Sequence, residues 1–156
     1  MKKLAYFLVV LVVFTSCSKK DSEVGPENTA AGLFCKIDGK DYAPDFSYAY
    51  SVFDGTFGIY GLDSRTNAVV WITLPQKITT GTHSLSGKGY EFRGDYTLGT
   101  VANEQYSTIV EVGSGSVTID KITDTQVIGS FNFTGVNNNG TKRTVSEGKF
   151  NVMFRL

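Results

Sequence analysis

The sequence predicts an all-β domain, a single antiparallel meander forming a β-sandwich or barrel, placed after a cleaved N-terminal signal helix. Three observations predict it. Beyond the first residues no window keeps the 3.6-residue apolar period of a helix, short runs from Leu33 onward alternate with period two, and glycine or asparagine separates those runs. Period-two alternation buries one face of a strand, and Asp-Gly or Asn-Gly steps supply the positive φ that tight hairpins need. At 156 residues one hydrophobic core is expected.

The first segment stands outside the β pattern. Met1-Lys2-Lys3 is cationic and residues 4–14 are apolar without a break, the length of a signal-peptide core and short of the roughly 20 residues that span a bilayer. Polar residues from Ser16 to Asp21 end the run. Phe14-Thr15-Ser16-Cys17 resembles the bacterial lipobox, a bulky apolar residue and two small ones before an obligatory cysteine, with Phe14 where leucine is usual. The resemblance implies cleavage before Cys17 and lipid on its sulfur, so the membrane is the first expected partner. One acyl chain holds only marginally, whereas two or three anchor a protein without any span. The chain then divides into a signal peptide at 1–16, a lipidated flexible tether at 17–31 and a β-domain at 32–156. Residues 18–30 carry Gly, Pro and alternating charge and almost no large apolar side chain, so they bury too little to offset their ordering entropy. The charged stretch Lys19-Lys20-Asp21-Ser22-Glu23 resembles the signal that carries some Bacteroidota lipoproteins to the outer face of the outer membrane, and reads equally as a solvated linker.

Within the domain, Asp38-Gly39 separates a strand at 33–37 from one at 41–43, and Asp54-Gly55 separates 46–53 from 56–62. The run 68–74 ends at Pro75, which has no N–H to donate into a ladder. Weaker strands are expected at 81–85, 89–97 and 105–112. After Gly113-Ser114-Gly115 the alternation sharpens at 116–122, with Val117 and Ile119 inward, and at 125–136, with Val127, Gly129, Phe131 and Phe133 on one face. Asn137 to Gly140 makes a turn, and 143–154 closes with Phe150, Val152 and Phe154 buried.

The strand Gly115-Ser116-Val117-Thr118-Ile119, the strand Ile128-Gly129-Ser130-Phe131-Asn132-Phe133 and the closing Glu147-Gly148-Lys149-Phe150 resemble the C-terminal half of small β-rich lipoproteins of Bacteroidota type. That resemblance implies an outer-membrane, cell-envelope location and a compact β-domain. It brings no catalytic residues.

Charge and chemistry narrow the function classes. Lys and Arg equal Asp and Glu at 15 each, and loss of Lys2 and Lys3 with the signal leaves a mildly acidic chain with no basic field for nucleic acid. If Cys17 carries lipid, Cys35 has no disulfide partner, and alternation sets it beside Leu33 and Ile37 as a small buried side chain. His83 is the one histidine, no G-x-S-x-G elbow exists, and neither a zinc nor a calcium spacing is found, so no catalytic residue, metal or cofactor is assigned. An envelope hydrolase remains the alternative, with Glu91, Asp95, Glu104 and Glu111 meeting across strands as a glycosidase would require.

The feature that carries recognition is an aromatic excess on the middle strands. Tyr48 and Tyr50 share a face, Tyr60 lies on the next run, and Trp71 alternates with Val70 and Ile72. Two placements of Trp71 follow. Favoured is a strand covered on both faces with Trp71 in the core; otherwise Trp71 joins the tyrosines as an outward platform for a sugar ring or an apolar partner. The expected function is a non-catalytic binding module for a glycan, an envelope protein or a small apolar ligand.

Overall fold

The structure is a computed structural model describing residues 30–52, 55–86, 89–99, 104–110 and 112–155. The signal peptide and Cys17 lie outside the described residues, as does Glu111. Eleven strands form one sheet: β1 (Gly32–Ile37), β2 (Lys40–Tyr42), β3 (Phe46–Ser51), β4 (Thr56–Asp63), β5 (Ala68–Pro75), β6 (Gly81–Ser84), β7 (Arg93–Leu98), β8 (Gln105–Ser107), β9 (Ser114–Ile122), β10 (Gln126–Val136) and β11 (Lys142–Met153). Each predicted run holds a strand, and β2 and β8 are the shortest at three residues each. The Asp38-Gly39 turn has φ of 48° and 80°, the double positive of the expected hairpin.

Strand order is β2-β1-β11-β10-β8-β7-β5-β4-β3, antiparallel throughout, with β6 and β9 pairing beside β10. A strict meander is therefore broken, with β2 and β3 at opposite ends of the path and β8 paired to β10. The first and last strands pair, and β6 leaves β5 to join β9. The sheet curls into a half-barrel in which β3, at one end of the path, also meets the C-terminal end of β11. There Ala49 of β3 bridges Phe154 in parallel and Arg155 N–H donates to the Ala49 carbonyl at 2.7 Å.

Alternation decides what fills the curl. Val70, Ile72 and Leu74 of β5, Phe57 and Ile59 of β4, Val117 and Ile119 of β9, and Phe131, Phe133 and Phe150 of β10 and β11 face inward and are almost wholly buried. Each such side chain contributes about 1.5–3 kcal/mol by leaving water. Phe154, expected among them, is only partly buried because it sits at the seam, edge-on to Phe57 at 5.2 Å. Parity switches once on β11, so that Val145 and Phe150 are both inward. Glu147, at φ 52°, is the extra residue of a bulge that shifts the register against both β1 and β10. Its carboxylate takes Lys36 Nζ at 2.7 Å, while a Cβ on the following Gly148 would fall 2.6 Å from the Phe131 ring.

Candidate functional site

With Val70, Ile72 and Leu74 committed to the core, the odd-numbered side chains of β5 must lie on the outer face. Trp71 is one of them. It is half-buried, so the expectation of a core tryptophan is corrected: its strand is covered fully on one face and only partly on the other. Tyr48, Tyr50 and Tyr60 are half-buried on the same outer face. Backbone register explains their meeting. Tyr48 is opposite Tyr60, Tyr60 opposite Trp71, Trp71 opposite Asp95 and Asp95 opposite Ser107, one continuous row across β3, β4, β5, β7 and β8. Four strand spacings give it a length of about 19 Å.

The aromatic part of the row is internally packed. Ring centroids lie 5.2 Å apart for Tyr48–Tyr60, 6.5 Å for Tyr60–Trp71 and 6.0 Å for Tyr50–Trp71. Tilted and edge-on geometries of that kind fix the rings against each other. Gly58 makes room for the indole, since a Cβ there would fall 2.4 Å from Trp71 Nε1. At the β3 end the Arg155 guanidinium caps the Tyr48 ring at 4.0 Å. Burial pushes the Tyr50 and Tyr60 hydroxyls above their ordinary range, with neighbouring tyrosines adding to it, so both stay neutral donors.

The other end is polar. Asp95 lies 2.5 Å from Arg93 Nε, a charge contact in which the guanidine N–H is not aligned on the carboxylate oxygen. Burial pushes the Asp95 carboxyl above its usual range, opposed by a hydrogen bond with Ser107 and by the Arg93 charge. Some 12% of the Asp95 side chain and 32% of Arg93 stay open to solvent. They line a cleft of about 280 Å³ with Trp71, Gln105, Ser107 and Asn138.

The segment after β8 lines this end of the row. Thr108 is fully buried, its N–H donating to the Gly94 carbonyl at 3.0 Å and its Oγ1 accepting the Gly94 N–H at 3.0 Å. That double tie carries Ile109 and Val110 along the cleft wall. The next member of the row beyond Ser107 is Val136, only 2% exposed.

Of the carboxylates in the alternative hydrolase reading, Asp95 and Glu91 lie apart. Asp95 faces Trp71 and Ser107 across its strands, and its same-face neighbours along and diagonal to the strand are Arg93, Thr97, Val69, Thr73, Gln105 and Ile109, none a carboxylate. Glu91 lines another surface depression beside Tyr90 and Phe92. There His83 stacks on Phe92 at 5.7 Å and its Nε2 lies 2.9 Å from the Thr79 carbonyl. Among the described residues no group of three or more His, Cys, Asp or Glu could hold a metal ion, and no helix is long and apolar enough to cross a membrane. Cys35 is buried, and burial raises its thiol to about 12. Sequence reasoning found the aromatic residues and missed Asp95 with Arg93 and Ser107 as their continuation. The missed signal was the Arg-x-Asp alternation at 93–95, which puts two opposite charges on the face that Trp71 occupies.

Fold and site together define an all-β, curled-sheet domain with an aromatic outer face running into a polar cleft. A profile described as Domain of unknown function (DUF6252) matches residues 29–153, and the chain belongs to that family. No match was found among curated proteins or among solved structures.

Proposed function

We propose that this chain is a membrane-anchored lipoprotein of the cell envelope, held to the outer membrane through lipid on Cys17, whose β-domain is a non-catalytic module binding a glycan along the outer-face row. The single observation carrying the reading is that row itself: Tyr48, Tyr60 and Trp71 in register, half-buried, ending at Asp95 and Ser107. Flat aromatic surfaces suit the apolar faces of sugar rings, and polar groups at the end suit their hydroxyls. An envelope protein or a small apolar ligand is the competing occupant. A purely apolar partner would leave the Asp95–Arg93 pair buried without compensation, which is costly.

Trp71 is the sole tryptophan, so intrinsic fluorescence reports the site directly. Titrating the full chain with neutral polysaccharides is expected to change that emission, and Trp71→Ala is expected to weaken retention on the same polysaccharide by roughly thirtyfold, about 2 kcal/mol for a central aromatic anchor. Undiminished retention by a folded Trp71→Ala chain would remove the row from function. For the anchor, cells grown with labelled palmitate should mark the parent chain and leave Cys17→Ala unmarked and unprocessed; an unlabelled parent overturns the lipid.

A further inference from the structure

The row is open at one end and blind at the other. At β3 it ends on Tyr48 and an exposed Arg155. At β8 it enters a cleft that Ile109 and Val110 wall, pinned through Thr108, and the next position, Val136, is covered. A polymer laid across the tyrosines cannot continue past Ser107. Whatever enters the 280 Å³ cleft must be a chain terminus or a single unit. The cleft's chemistry narrows the unit further. Asp95 and Arg93 already balance each other's charge in a mostly buried setting, so a ligand cation or anion would break the balance where water is scarce. Neighbouring hydroxyls suit the pair, since one can donate to the carboxylate while another accepts from the guanidinium. Gln105 and Asn138 add neutral hydrogen-bonding groups around them.

We infer that the cleft between β5, β7 and β8 reads the end of a neutral glycan, taking its terminal sugar against Asp95 and Arg93 while the following sugars lie over Trp71, Tyr60 and Tyr48. The inference rests on the row being a glycan surface and adds that it recognises chain ends.

Counting ends separates the two. Full-length chain in detergent is titrated, by Trp71 emission, with starch glucan, mannan and xylan, and with short oligosaccharides cut from each, all expressed as sugar mass. Cutting multiplies ends without adding sugar, so an end reader should respond at a mass concentration lowered in proportion to the new ends. Asp95→Asn should weaken binding of the short chains by about tenfold, the scale of a lost charge-assisted hydrogen bond, and Ser107→Ala replaces it should the first variant melt early. Capping the terminal sugar with a uronic acid should abolish binding. If mass-based affinity is unchanged by cutting, the row binds along chains and end recognition is wrong while the glycan reading stands. If none of the three polysaccharides alters Trp71 emission or retains the protein, both fall.

Discussion

Single residues in this domain are held by identifiable neighbours, and Asp38 is the clearest titratable case. It occupies the first positive-φ position of the β1–β2 turn, accepts the Thr144 N–H at 2.9 Å and pairs with Arg143 at 2.7 Å. These contacts hold its carboxyl below the usual range, the backbone hydrogen bond first among the causes and the Arg143 contact after it. A lowered acid stabilises the fold above its unfolded value, near 3.9, and that contribution fades as pH falls through the folded value. Asp38→Asn keeps the turn, because asparagine tolerates the left-handed region. It should therefore cost about 1 kcal/mol at pH 7, discounted because the side chain is more than a third exposed. Urea midpoints measured from pH 7 to pH 2.5 should converge for variant and parent at the acid end; a gap that does not close would mean the turn, not the charge, was lost. Trp71 shows the limit of reading single residues. Its face was ambiguous in the sequence because Val69, Trp71 and Thr73 are nearly as apolar as Val70, Ile72 and Leu74, and only the packed core settles which triplet is inside.

At the scale of elements, period two made the strands legible, since each buried run had to alternate against water. Pairing was less so. The Tyr48–Tyr60–Trp71 alignment depends on two hairpin registers, and the extension to Asp95 on β5 skipping β6 for β7, a non-local choice no hairpin motif announces. Hence the four aromatic members of the site, Tyr48, Tyr50, Tyr60 and Trp71, were visible in the sequence and its polar end was not. The glycine motifs did carry packing information whose meaning only the register supplies. Gly129 lies where β9 shifts against β10, and a Cβ there would fall 2.0 Å from the Thr118 carbonyl oxygen and 2.6 Å from the Phe150 ring. Backbone cannot yield as a side-chain tip can, so Gly129→Ala should cost about 3 kcal/mol. Gly140→Ala is the informative contrast. That position has open space but φ of 78°, so it should lose only about 1 kcal/mol through conformational strain. Guanidinium midpoints rank the two; equal losses would mean that steric contact at Gly129 is relieved by a shift of β9.

For the whole molecule, what matters is how the curl is kept shut. Most of the wall is a continuous antiparallel ladder, yet the backbone pairing of β3 across the curl, among the described residues, consists of the Ala49–Phe154 bridge and the Arg155 N–H bond. A second tie crosses the curl nearby, where the Tyr42 hydroxyl reaches the Gly61 and Ala68 carbonyls at 2.8 and 3.0 Å. The candidate row begins on β3, so the seam also sets the position of Tyr48, which Arg155 caps. Phe154→Ala removes a partly buried ring and its edge-on contact with Phe57, worth about 2 kcal/mol. Arg155→Pro deletes one N–H donor, worth about 1 kcal/mol. Because the rest of the ladder is untouched, the loss should be local. Hydrogen exchange should show β3 and β4 amides opening with less free energy than those of β10 and β11, instead of all four falling together. With its edge freed, β3 also presents unpaired backbone groups to other chains, so both variants should associate more readily at high concentration. Uniform loss of protection across the sheet would show that closure is part of the global fold and not a separable latch. In that case the aromatic row could not loosen without the whole domain unfolding.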